Sequence, residues 1–234
     1  MSIRNYSLMM RRMLVLLGIA IICSCFGCVY ESGSSDLNAL VVTKQDVIES
    51  QFSNSRAYDS IAEFKKIIQS GDVITRTGND FTSESLRKLH QRNKIYSHCG
   101  IASIENDSLF VYHAMGGEWN PDEKLRRDRI EIFAAPEYNR GIGIFHFKIP
   151  DSTRKQLILI AQEQFEKNLM FDMHFDLNTD DRMYCAEFVY KAFLKASHNY
   201  MRFNISRINQ IKFIGVDDIF LHPLCGMKKS VVYK

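Results

Sequence analysis

The chain has 234 residues, 46% of them hydrophobic, only four prolines and a formal charge of +3. That composition belongs to a globular domain with a sizeable core and excludes collagenous, low-complexity and disordered classes. Without a Lys/Arg-rich stripe, nucleic-acid binding has no electrostatic support.

The first segment reads as a targeting signal. Arg4, Arg11 and Arg12 precede an uncharged, mostly apolar run from Met13 to Tyr30. A basic stretch followed by a short apolar one is the layout of a secretory signal, and the run falls slightly short of the ~20 residues of a spanning helix. Ile22-Cys23-Ser24-Cys25 resembles a bacterial lipobox, and Gly27-Cys28 is a second candidate. Residues 1–27 are therefore expected to be a lipoprotein signal, with acylation at Cys25 or Cys28 and a polar tether reaching to about residue 43. A plain secretory signal with incidental cysteines is the alternative. The expected location is the cell envelope, on the periplasmic or surface side of a membrane. Loss of the three signal arginines leaves the remainder neutral.

Residues 44–234 read as a single domain. Lys44 to Ser70 has helical periodicity, with a break expected near Asn54-Ser55. Gly71-Asp72 turns into a strand over Val73 to Arg76. A short helix follows over Thr82 to His90. Ser97 to Ile104 and Ser108 to Ala114 then read as strands joined through Glu105-Asn106-Asp107. Arg129 to Ala134 and Ile142 to Ile149 read as further strands. Pro150-Asp151-Ser152 opens an amphipathic helix to about Asn168. A loop from Met170 to Met183 leads to a helix over Tyr184 to Ala196. A short helix near Asp217 to Leu221 and a strand at Lys228 to Val232 close the chain. Helices, a run of strands, then helices again imply an α+β fold: an antiparallel sheet with helices segregated to one side.

Three cysteines fall within 44–234, namely Cys99, Cys185 and Cys225. They cannot all pair, and their spacing suggests no disulfide framework. In the helix opening Tyr184-Cys185-Ala186-Glu187, apolar residues recur at 185, 188, 189, 192, 193 and 196. This periodicity puts Cys185 in the first turn, on the face directed at the rest of the protein. There the helix dipole and unpaired backbone N–H groups favour thiolate and could hold an oxyanion. Position alone favours a core cysteine. The hairpin supplies what could decide between these. A two-residue Asn106-Asp107 turn sets Gly100 opposite His113, so His98 and His113 share a face as diagonal neighbours. One imidazole can then take the thiol proton while the other orients it. Cys99 should point away from His98, into the core. Glu187 and Lys191 have the spacing of a helix ion pair. His98, His113 and Cys185 are of zinc-ligand type, but no CxxC or HExxH spacing supports a metal, and none is expected.

Taken together, Gly71-Asp72-Val73-Ile74, Tyr96-Ser97-His98-Cys99-Gly100-Ile101, Val111-Tyr112-His113-Ala114, Phe171-Asp172 and Tyr184-Cys185-Ala186-Glu187-Phe188-Val189-Tyr190 resemble the YiiX/YebB-like group of the NlpC superfamily. These are amidases of circularly permuted papain-like fold, in which His precedes Cys. The motifs span Gly71 to about Leu194. The resemblance implies Cys185 as nucleophile, His98 as general base and His113 as orienting residue, at a position where many relatives have Glu. It implies Tyr184 and Asp172 as substrate or oxyanion residues, and no cofactor. Ala186 and Cys99 depart from the usual Ser and aliphatic residue.

The function these expectations favour is hydrolysis of an amide bond in a cell-wall peptide or another envelope component, through a Cys185 thioester. One alternative keeps the fold but acts on lipid acyl esters or amides, with Met115-Gly116-Gly117-Glu118-Trp119 as an apolar rim. Another is a non-catalytic envelope-binding lipoprotein.

Overall fold

The structure, a computed structural model, describes residues 44–116 and 120–233. The expected signal segment, both candidate lipidation sites (Cys25 and Cys28) and residues 117–119 of the expected rim lie outside the described residues. Among the described residues no helix is long and apolar enough to cross a membrane.

Helix α1 (Lys44–Lys65) runs unbroken through Asn54-Ser55, contrary to the expected interruption. Ala57, Ile61, Phe64 and, just beyond, Ile68 are buried at helical spacing along one side. Docking that stripe on the sheet outweighs the weak helix propensity of Asn and Ser, each a few tenths of a kcal/mol. Gly71, at φ +84°, makes the left-handed turn into β1 (Val73–Gly78). Asp80 caps α2 (Phe81–Leu89) by accepting from the Ser83 N–H at 2.9 Å.

The hairpin β2 (His98–Glu105) and β3 (Ser108–His113) forms in the expected register, with Glu105 opposite Ser108 and Ile101 opposite Tyr112. Asn106 and Asp107 both take positive φ (46° and 60°), the type I′ geometry that matches strand twist. The next strand departs from expectation. It is β4 (Arg126–Arg129), and Ile130–Phe133 forms a helical turn, α3, instead of a strand. The buried residues there are Ile130 and Phe133 while Ile132 is exposed, so the spacing is three and not two.

Strand β5 (Asn139–Phe147) lies between β1 and the last strand, β8 (Cys225–Val232), giving a six-stranded antiparallel sheet in the order β4-β3-β2-β1-β5-β8. Helices α4 (Asp151–Glu166), α5 (Cys185–Ala196) and α6 (Val216–Phe220) complete the layout. A small hairpin of β6 (Ser206–Ile208) and β7 (Ile211–Phe213), not expected from the sequence, precedes α6.

Two apolar clusters show that the sheet is covered on both faces, not on one as expected. Val73, Cys99, Ile101, Tyr112, Phe145 and Phe147 pack against α4, α5 and α6. Ile74, Ala102, Val111, Ile142 and Ile144 pack against α1 and α3. Residues alternate between the two covers along each strand, so β1, β2 and β5 are buried on both sides.

Candidate active site

Cys185 is the first residue of α5, after the cap residue Tyr184. The first intrahelical bond runs from the Phe188 N–H to the Tyr184 carbonyl, so the N–H groups of residues 185 to 187 have no partner within the helix. The Cys185 side chain reaches the start of β2. There the Cys99 thiol and the backbone N–H groups of Cys99 and Ala186 act on its sulfur. Contact with the Cys99 thiol, these N–H groups and the charge of Arg76 hold the Cys185 thiol below its ordinary value, against the opposing effect of burial. The sulfur thus lies beside the residue that follows His98.

His98 and His113 do share a face. Gly100 makes this possible, because a Cβ there would stand 2.6 Å from the Tyr112 carbonyl oxygen and 2.9 Å from the His113 Cβ. His98 Nε2 is 2.8 Å from His113 Nδ1, and His113 Nε2 is 3.0 Å from Asp128 Oδ2. Asp128 also pairs with Arg126 at 2.8 Å. Both rings rest on Phe133, with centroids 5.7 and 4.9 Å from it. The hydrogen bonds fix the tautomers. A carboxylate only accepts, so His113 carries its proton on Nε2 and its Nδ1 is bare. His98 must then donate from Nε2, which leaves His98 Nδ1 as the free lone pair.

Burial, the Arg76 charge and the neighbouring imidazole hold His98 well below its ordinary value. Burial likewise takes His113 down to about 4, although the hydrogen bond to Asp128 opposes the fall. Both imidazoles are neutral at pH 7. For Asp128, burial pushes upward but the bonds from His113 and Arg126 prevail, and its carboxyl sits below the usual range.

Sequence reasoning missed two residues here. Asp128 lay in a charged run just before the expected strand, so no period-two pattern assigned it a face. Arg76 lies opposite His98 in the β1–β2 register. Its signal was available: Arg76 falls on the same face of β1 as the buried Ile74, where a cation is anomalous.

Tyr184 and Asp172, expected as substrate or oxyanion residues, and Glu187 make contacts within the protein. The Tyr184 hydroxyl accepts from the Ile214 N–H at 2.7 Å, and its ring lies on Phe175. Asp172 accepts from the N–H groups of His174 and Asp176, both at 2.7 Å, which pins the loop before α5. Glu187 is fully buried, and burial raises its carboxyl to about 7. Its Oε2 accepts from the Tyr184 N–H at 3.3 Å, and Lys191 Nζ stands 3.0 Å from its Oε1 without hydrogen-bond alignment. A cavity of about 1220 Å³ lies along the outer side of α5, lined by Phe175, Met183, Phe188, Lys191, Lys195 and Ile211 among others; Cys185, His98 and His113 do not line it.

No family model matches the sequence, and no curated protein matches it. Among solved structures it resembles metalloprotein yiiX from Escherichia coli O157:H7, with a TM-score of 0.56 and 16% identity over 70% of this chain and 98% of that one. The chain therefore has a YiiX-like fold. The neighbour is described as a metalloprotein, which raises the question of metal fit here. Among the described residues no group of three or more His, Cys, Asp or Glu is arranged to hold an ion. His98 Nε2 and His113 Nδ1 face each other at the 2.8 Å of a hydrogen bond. Two nitrogens on one tetrahedral zinc would stand about 3.3 Å apart. The pair does not fit a metal in this arrangement.

Proposed function

We propose that this protein is a cysteine hydrolase of amide bonds, with Cys185 as nucleophile, His98 as general base and His113 backed by Asp128 as the orienting group. The observation that carries the reading is the hydrogen-bonded line His98–His113–Asp128, whose tautomers leave His98 Nδ1 free; it is joined by a thiol at the start of α5 that is drawn down next to Cys99, the neighbour of His98 in the chain. In the first step Nδ1 takes the thiol proton as sulfur attacks the carbonyl carbon. The N–H groups at the start of α5 that lack a carbonyl partner in the helix would receive the oxyanion. Nδ1 returns the proton to the leaving amine, and water then cleaves the thioester, giving a carboxylic acid and free thiol. Because burial disfavours imidazolium, the charged state is transient, and Asp128 steadies it through His113. The same reading takes the fold as a permuted papain-like one, and it places the domain on an acylated N-terminus in the cell envelope, facing amide-linked wall peptides.

The test is iodoacetamide labelling of the full chain with peptide mapping. Cys225 serves as internal comparator, since burial pushes its thiol up to about 12. Cys185 is instead drawn below the ordinary thiol value, so it holds the larger thiolate fraction at pH 7. Lower intrinsic nucleophilicity offsets part of that, and Cys185 is expected to label clearly faster than Cys225. His98→Ala should remove most of that advantage. Equal labelling of the two cysteines, or a Cys185 rate indifferent to His98→Ala, would overturn the dyad.

A further inference from the structure

Arg76 is a cation in a place that favours none. It projects from a central strand onto the face of the buried Ile74, opposite His98. Its guanidinium lies 4.8 Å from the centre of the Phe133 ring, the same ring that supports both imidazoles. Nη1 donates to the Phe133 carbonyl at 2.7 Å, which fixes the head. Nη2 meets only the Met115 thioether, at 3.1 Å. A thioether is a weak acceptor, so one strong charged donor is left without a matching partner.

Among the described residues no carboxylate pairs with Arg76. Asp128 and Asp80 act on it only through space, while burial lowers it to about 10. The side chain is only partly buried and the Met115 contact lies at the surface, so Nη2 is open to an incoming group. A purely structural role is poorly served by this choice, because the charge also disfavours protonation of both neighbouring imidazoles. A positive charge beside a nucleophile, held in place by one donor with another left open, suits an incoming anion instead.

We propose that Arg76 Nη2 is a carboxylate-recognition point of the Cys185 site, so that the substrate is an amide with a free carboxylate close to the scissile carbonyl, as at a peptide C-terminus or an acidic residue. This inference rests on the hydrolase reading above, and it makes Arg76 a specificity-determining residue and not a part of the proton relay. Met115, half exposed beside the donor, would be displaced from Nη2 by the carboxylate oxygen.

The experiment compares two alkylating reagents that differ in one charge, iodoacetate and iodoacetamide, on Cys185 of the full chain. A change in thiolate fraction affects both reagents alike and cancels in the ratio of rates. The ratio therefore reports anion recognition alone. Relative to a small free thiol, wild-type Cys185 is expected to favour iodoacetate on the order of tenfold, the worth of one charged hydrogen bond. Arg76→Gln should return the ratio to the free-thiol value. A wild-type ratio equal to that of the free thiol, or a preference that survives Arg76→Gln, would overturn the proposal. Circular dichroism checks that the variant folds. If it does not, Arg76→Met keeps the length of the side chain without the charge, and a preference that survives there would overturn it equally. The dyad is judged separately, because His98→Ala should slow both reagents and leave their ratio intact. A slow Cys185 with a strong iodoacetate preference would sink the dyad and keep Arg76; a fast one without preference would do the reverse.

Discussion

Among the described residues two imidazoles are hydrogen-bonded to aspartates, His146 to Asp72 and His113 to Asp128, and only one of them belongs to the candidate site. In the first pair, His146 Nδ1 meets Asp72 Oδ1 at 2.7 Å, while Asp72 Oδ2 takes Lys228 Nζ and the Gln69 N–H, both at 2.8 Å. The second nitrogen of His146 faces Arg154 at 3.3 Å. Every strong position is filled, and the neighbouring Cys225 thiol is pushed up by burial and by the Asp72 charge. In the second pair, the outer nitrogen of His113 faces another imidazole, whose far nitrogen is bare, and the candidate nucleophile, Cys185, is pulled down. A His–Asp pair is thus no signature of catalysis. What the outer nitrogen faces, and whether backbone N–H groups reach a thiol, separates a proton relay from a structural clamp.

The comparison breaks most decisively at Asp72. Its carboxylate is fully buried, and Asp72→Asn leaves Lys228 and His146 without their anion. Losing one partner of a buried pair costs about 3–5 kcal/mol, with Lys228's partial exposure favouring the lower end. Urea unfolding should show that loss, while the alkylation rate of Cys185 in the folded fraction stays at the wild-type value. A slowed Cys185 at unchanged stability would mean that the two pairs do not differ in kind.

Acid sharpens it next, through His113. This imidazole is held at about 4 in the folded protein and titrates near 6.5 when unfolded. Between those values the unfolded chain binds a proton that the folded chain refuses, so stability is complete above about 6.5 and drains away as pH falls toward 4. The slope is up to ~1.4 kcal/mol per pH unit for one imidazole, roughly 3 kcal/mol across the window. His98, displaced in the same direction, adds to it. Unfolding midpoints measured from pH 7 to 4.5 should fall accordingly, and His113→Gln should flatten the curve. An unflattened curve would show that His113 is not held neutral by its surroundings.

How much of this was legible follows from where the signals are local. The Asn106-Asp107 turn and strict alternation set the β2–β3 register, and with it the shared face of His98 and His113. The apolar spacing of α5 put Cys185 in its first turn. The face of the sheet that α1 would cover was not legible, since nothing in a helix's own periodicity names its docking surface. Asp128 was hidden for a related reason. Four charged residues in succession, Arg126 to Arg129, give alternation no contrast, and the apolar pattern begins only where β4 ends. The β6–β7 hairpin has three residues per strand, too few for any period to register.

The smallest effect tests the link that the sequence did not disclose. Asp128→Asn keeps the size of the side chain but removes the charge, and leaves Arg126 unpaired. If the amide offers its oxygen to His113 Nε2, the tautomers persist and only the electrostatic support for imidazolium is lost. If it offers its NH₂, the pattern inverts: His113 Nε2 becomes bare, its Nδ1 donates to His98 Nε2, and the proton of His98 moves to Nδ1, where it blocks the base. Either outcome slows the His98-dependent reaction of Cys185. Because the charge acts through an intervening imidazole, the expected loss is about tenfold, or ~1.4 kcal/mol, well below that of His98→Ala. Asp128→Glu restores the charge at a slightly different reach and should recover part of the rate. Side-chain size alone cannot produce that order, since Asn matches Asp more closely than Glu does. If Asn instead retains the wild-type rate and Glu loses it, Asp128 fills space at the edge of β4, and the relay ends at His113.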